Sequence, residues 1–130
     1  MVFLDTDVLI DFLRNNKEVV KKINNLREKD ENLSTTSINS FELYRGSKRL
    51  SGDSEEEAAE TLLRTLKLFD FTLEDSKKAA EIFETLKSKG EIIELTDIMI
   101  AAIAIENNQT LLTRNTKHFE KIKDLKLEAL

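Results

Sequence analysis

Met1-Val2-Phe3-Leu4-Asp5-Thr6-Asp7-Val8-Leu9-Ile10-Asp11-Phe12-Leu13 opens the chain and changes its hydrophobic period midway. Val2-Phe3-Leu4 is an unbroken apolar run of strand length. Val8, Leu9, Phe12 and Leu13 then recur at helical spacing, so residues 7–14 read as a helix. A strand that runs straight into a helix, with Asp5 at the joint, is the opening unit of a sheet covered by helices.

The same alternation continues outward. Val19, Val20, Ile23 and Leu26 mark a second helix, and Leu33-Ser34-Thr35-Thr36 a second strand. Ser37 is read as the cap of a helix from Ile38 to about Leu50, and Ser51-Gly52-Asp53 as a loop. Glu55, Glu56 and Glu57 load the first turn of a helix running to Leu68, which suits its dipole. Phe69-Asp70-Phe71 is short enough for a strand. Leu73 to Lys89 forms a further helix with Ala79, Ile82, Phe83 and Leu86 on one face and Gly90 at its stop. Thr96 is placed as the cap of a helix that is apolar almost all round, Ile98 to Ile105, and therefore buried. Thr110-Leu111-Leu112-Thr113 is the next strand. A short helix over 115–121 and an edge strand at Leu125-Lys126-Leu127 complete the series. Short strands alternating with helices imply an α/β fold: three layers, α/β/α, around a short-stranded central parallel sheet.

The 130 residues, 40% of them hydrophobic, fit a single domain spanning 1–130 that is stable without staples. There is no Cys, and His118 is the one His, so disulfides, Cys-rich zinc sites and Cys nucleophiles are excluded by inventory. No stretch is apolar for a membrane span and no signal-peptide pattern opens the chain; the expected location is the cytoplasm, with no membrane partner. A net charge of −5 argues against binding duplexes through a broad basic face. It does not argue against a nuclease, because carboxylates lower the net charge and bound metal reverses its sign where phosphate is met.

Three acids stand where apolar elements stop or start: Asp5 after Val2-Phe3-Leu4, Glu42 in Ser37-Ile38-Asn39-Ser40-Phe41-Glu42-Leu43, and Asp97 at the head of Ile98 to Ile105. Each has an ordinary explanation. Asp5 caps a helix, Thr96-Asp97 is a cap and a first-turn acid, and Glu42 pairs with Arg45 one turn on. Acids gathered on one rim repel one another unless a cation sits between them, and a hard divalent ion prefers their oxygens.

Taken together, Val2 to Ile10, Ser37 to Gly46, Thr96 to Ala102 and Leu111-Leu112-Thr113-Arg114-Asn115-Thr116-Lys117-His118-Phe119 resemble the PIN-domain family, and within it the VapC-type toxins of toxin–antitoxin pairs. The resemblance covers the whole chain. It implies a Mg²⁺- or Mn²⁺-dependent endoribonuclease, usually a homodimer, held inactive by a small cognate antitoxin and leaving 5′-phosphate and 3′-hydroxyl ends. By position, Asp5, Glu42 and Asp97 match the family's core acids, and Thr6 its small hydroxyl residue. Asn115 stands where many members carry an acid, and His118 where relatives often have Asp or Glu. Asp5 and Asp97 are therefore expected to hold the tight ion, with Asn115 a weak fourth position and His118 a surface helix residue. Phosphodiester hydrolysis needs a nucleophilic water and relief of charge on a crowded anion, and a divalent ion offers both.

Two rivals remain at this point. Leu4-Asp5-Thr6-Asp7-Val8 mimics the Asp-x-Asp loop of haloacid dehalogenase-like phosphatases, with Asp5 as nucleophile and Asp7 as acid/base. A PIN-like scaffold that binds RNA or protein without cleaving is the other.

Overall fold

The computed structural model describes residues 1–29, 31–49 and 53–130. In chain order the elements are β1 (Val2–Leu4), α1 (Thr6–Leu13), α2 (Lys17–Glu28), β2 (Leu33–Thr36), α3 (Ser37–Arg49), α4 (Asp53–Arg64), β3 (Lys67–Phe69), α5 (Leu73–Ser88), α6 (Leu95–Glu106), β4 (Thr110–Thr113), α7 (Thr116–Phe119) and β5 (Lys126–Ala129). Every strand pairing is parallel, in the order β3-β2-β1-β4-β5. The three-layer α/β/α reading holds.

Each inner strand is buried on both faces, and the alternation of side chains assigns them to two cores. Val2, Leu4, Leu33 and Leu112 join Val8, Leu9, Val19, Ile23, Leu43, Leu62 and Leu63 on the face covered by α1 to α4. Phe3 and Leu111 join Ala79, Ile82, Leu86, Ile100, Ile103 and Phe119 on the face covered by α5 to α7. Helix α6 is buried from Ile100 through Ala104, as its all-round apolar pattern requires. No described helix is long and apolar enough to cross a membrane.

Several boundaries differ from the sequence reading. Helix α4 stops at Arg64 rather than Leu68, because the N–H groups of Thr65 and Leu66 close on the carbonyls of Leu62 and Leu63 and the Thr65 hydroxyl donates to Leu62 O. Lys67-Leu68-Phe69 is then free to pair with Ser34, Thr35 and Thr36, two residues before the expected Phe69-Asp70-Phe71. Strand β5 begins at Lys126 and α7 ends at Phe119. Phe83 is 39% exposed, so the buried face of α5 is Asp75, Ala79, Ile82 and Leu86. Ser51 and Gly52 of the expected loop lie outside the described residues, and Asp53 already belongs to α4.

Two expected caps also moved. Ser37 is helical, and Thr36 caps α3: its hydroxyl accepts from the Asn39 N–H, while Asn39 Oδ1 accepts from the Thr36 N–H, a reciprocal arrangement with Asn in place of the usual Glu or Gln. Helix α6 starts at Leu95 with Glu94 at the cap position and no side-chain cap, so the Thr96 hydroxyl is left for other use.

Candidate active site at the carboxyl end of the sheet

From β1 the chain winds outward to β2 and β3 on one side, while β4 and β5 lie on the other, so the order reverses between β1 and β4. In open parallel sheets the crevice at such a switch, beyond the carboxyl ends of the strands, is where ligands bind. Asp5 follows β1 and Thr113 ends β4, which puts both at its mouth.

Asp5 is 6% exposed and fully engaged. Its Oδ1 accepts from the Thr6 N–H at 2.8 Å and from Asn39 Nδ2 at 3.2 Å, and its Oδ2 accepts from the Thr113 hydroxyl at 2.7 Å. It therefore does cap α1. A cap alone does not explain the Thr113 and Asn39 donors reaching it from two other elements. Burial foremost, then the neighbouring Asp7, pushes the Asp5 carboxyl up to about 7 despite those donors.

Glu42 does not pair with Arg45, whose guanidinium lies 5.6 Å from the Phe41 ring centroid. Instead Glu42 Oε1 accepts from the Thr6 hydroxyl at 2.7 Å and Oε2 from the Thr96 hydroxyl at 3.2 Å. Thr6 thus supports two acids, Asp5 through its backbone and Glu42 through its side chain. Asp97, one residue past Thr96, sits in the first turn of α6, where the helix dipole favours a negative charge. Burial foremost, then Glu42, Glu94 and Asp7, outweighs the dipole and pushes it up to about 6.

The fourth position is filled differently from expectation. Asn115 is exposed, and its backbone N–H donates to Thr113 Oγ1 at 3.0 Å. His118 turns inward: its Nε2 lies 3.1 Å from Asp97 Oδ2, buried and without an aligned hydrogen bond. That approach is a charge contact when the ring is protonated. The structure also brings in Asp7, to which the nuclease reading of the sequence gives no role. Its Oδ2 accepts from the Arg114 N–H at 3.1 Å and, weakly, from Thr113 at 3.4 Å, while its Oδ1 is buried with no partner. Burial raises its carboxyl as well. Asp7 reaches the mouth by meeting Thr113 and the Arg114 N–H at the end of β4, a contact set by how α1 packs on that strand and not by its spacing from Asp5.

Oxygen donors dominate the mouth, one of them orphaned, and the residues fit a hard divalent cation. Among the described residues, no three His, Cys, Asp or Glu side chains stand close enough to hold one ion between them. An ion here would take one or two carboxylates and keep water for the rest of its shell.

The model of the PIN domain matches residues 2–125. Over 128 residues the chain is 33% identical to Ribonuclease VapC2 of Rickettsia felis, covering 96% of this chain and 94% of that protein. It is 34% identical over 100 residues to Ribonuclease VapC3 of Methanocaldococcus jannaschii, covering 77% and 94%. Among solved structures, VapBC2 from Rickettsia felis bound to a DNA fragment from its promoter superposes with a TM-score of 0.89 at 27% identity, covering 100% of this chain and 99% of that one. The chain belongs to the PIN-domain family. That membership removes the phosphatase reading of Leu4 to Val8.

Proposed function

We propose that this protein is a divalent-metal-dependent endoribonuclease, the toxin of a type II toxin–antitoxin pair. One observation carries the reading. Asp5 and Glu42 are tied together through Thr6 and Asn39 at the mouth of the sheet, Glu42 reaches the Thr96 hydroxyl beside Asp97, and none of the three acids is paired with Lys or Arg among the described residues. Asp5 and Asp97, whose carboxyls burial raises toward neutrality, are prepared for a cation. The ribonuclease names of the relatives point to RNA as the substrate.

Asp5 and Asp97 are the residues that would hold Mg²⁺ or Mn²⁺. When bound, such an ion supplies an acidified water and neutralises charge on the phosphate. Thr113, Asn39 and the Thr6 N–H keep Asp5 oriented as an acceptor set. Glu42, tied by Thr6 and Thr96, orients water at the rim. His118 lies against Asp97, and Asn115 follows Thr113 at the end of β4 with a neutral amide.

The partners follow the same reading. The VapBC2 complex among the structural relatives supports a small cognate antitoxin, whose tail would present Arg or Lys to the acidic mouth. Exposed Leu73 and Phe83 on α5, Ile92 in the loop after it and Leu95 at the start of α6 support a homodimer, exposed apolar side chains wanting cover. The cytoplasm, where RNA and antitoxin are made, is the proposed location.

The test is cleavage of cellular RNA in Mg²⁺ or Mn²⁺ against chelator, with Asp5→Asn and Asp97→Asn as variants. Loss of cleavage by orders of magnitude in chelator and in both variants, with 5′-phosphate ends on the products, is expected. Either variant cutting at the wild-type rate overturns the assignment. A protein that binds RNA but never cuts it would be the scaffold. Sedimentation as a strict monomer at high micromolar concentration removes the dimer.

A further inference from the structure

Asn39 is 0% exposed, and each polar atom of its side chain is spoken for. Its Oδ1 accepts from the Thr36 hydroxyl at 2.7 Å and from the Thr36 N–H at 3.3 Å. A backbone N–H can only donate, so the amide oxygen must face Thr36 and the amide nitrogen must face the other way. There it donates to Asp5 Oδ1 at 3.2 Å and to Thr6 Oγ1 at 3.0 Å. Having accepted that bond, the Thr6 hydroxyl spends its own proton on Glu42 Oε1. The chain of donors therefore has one direction, from the first turn of α3 through Thr6 to Glu42, with a branch to Asp5.

We infer that Asn39 is a positioning residue for the reaction: through the two protons on its amide nitrogen it fixes Asp5 directly and Glu42 by way of Thr6. The inference rests on the nuclease reading of this site. A helix cap by itself uses only the Asn39 oxygen and backbone N–H, and leaves both amide protons without a purpose. Those protons reach across to the end of β1 and the start of α1, thirty-three and thirty-four residues away in sequence. Without them the Thr6 hydroxyl is free to turn toward Asp5, which also accepts, and Glu42 loses its nearer anchor. Asn39 touches no solvent, so it acts on the acids and not on RNA.

The experiment compares single-turnover cleavage of an unstructured RNA by wild type, Asn39→Ala, Thr6→Val, Thr6→Ser and the Asn39→Ala/Thr6→Val double variant, with Mn²⁺ affinity measured by calorimetry. Partners that orient ligand residues typically matter by about 10–100-fold in metal affinity or activity. The expected result is a loss of that order in the cleavage rate constant of each of Asn39→Ala and Thr6→Val, with the RNA concentration at half-maximal rate moved by less than about threefold. Mn²⁺ binding weakens in Asn39→Ala. The double variant is no worse than the poorer single by more than about threefold, because both break one chain. Thr6→Ser recovers most of what Thr6→Val loses. A folded Asn39→Ala that cuts at the wild-type rate overturns the inference, as do losses that multiply in the double variant. Should Asn39→Ala fail to fold, the Thr6 pair decides, since Thr6 lies outside the α3 cap: equal rates for Thr6→Val and Thr6→Ser overturn it. A wild type without metal-dependent cleavage overturns the nuclease reading, and this inference with it.

Discussion

Replacing Asp5 by Asn removes one charge from a buried site while keeping its shape. The Asp5 carboxyl stands at about 7 in the folded chain against an ordinary 3.8, with burial the main cause and Asp7 the next. An acid raised in this way binds more protons folded than unfolded between those two values. Stability is therefore greatest below pH 3.8 for this group and is lost as pH rises through 7. At about 1.4 kcal/mol per pKa unit, the roughly three units amount to about 4 kcal/mol, fully lost by pH 8. Asn mimics the protonated acid: its oxygen takes the Thr6 and Asn39 donors, and its NH₂ faces the Thr113 hydroxyl, which reorients to accept. The gap between wild type and Asp5→Asn in chelator should then swing by about 2–3 kcal/mol between pH 5 and pH 8, with the variant the more stable at pH 8. Urea unfolding at the two pH values measures it, and taking the difference between the two proteins cancels the other acids. Adding Mn²⁺ at about 100 times its Kd should return roughly 2.7 kcal/mol to the wild type and far less to the variant. A difference between the two proteins that is flat with pH, or a variant less stable at pH 8, would refute the reasoning.

The remaining expectations concern the rest of the rim and the frame beneath it. His118→Ala should lower cleavage more than Asn115→Ala, since His118 lies against Asp97 while Asn115 is exposed; the two rates side by side decide it. Asn115→Asp should tighten Mn²⁺ binding in calorimetry, a carboxylate at the mouth attracting the ion more than an amide does. Thr72→Ala breaks the capping box with Asp75 at the start of α5 and should cost about 1 kcal/mol in urea unfolding, with cleavage unchanged. Ile103→Ala, in the centre of α6 at 0% exposure, should cost about 2–5 kcal/mol, and a loss under 1 kcal/mol would mean that the core there collapses onto the gap.

How far the sequence could be read depended on how local the cause was. The β1–α1 joint was legible because its strand and helix periods are written in adjacent residues, and α6 because an all-apolar helix has one place to go. β3 was misplaced by two residues because its register is set by pairing with Ser34 to Thr36, far away in sequence, and not by its own composition. Phe83 was assigned to the core on spacing that is correct for a helix face, yet that edge of α5 meets solvent. Asp5, Glu42 and Asp97 stand out in the sequence as a candidate set, at a strand end, inside a helix and at a helix start, and Thr6 and Thr96 bring Glu42 to the elements that carry the other two. Their connections were not legible: that Thr96 serves Glu42 rather than its own helix, and that His118 faces Asp97, depend on how α3, α6 and α7 meet.

The difference between Asp5 as a cap and Asp5 as a site residue dissolves in the structure, and the reason is energetic. A cap needs one acceptor oxygen at a helix start, and on the surface it is satisfied by that alone. Asp5 is buried, so its second oxygen would be left unpaired without Thr113, and the charge it carries is opposed by Asp7 and Asp97. Stability alone would favour Asn or Ser here, which cap as well and carry no charge. The same is true of Asp97, whose helix gains little from it against the cost of facing Glu42 and Glu94. Positions at which a cheaper residue would serve the fold equally well are those where the charge has another use. By that measure Asp5 and Asp97 are better accounted for by the proposed cation site than by the helices they start.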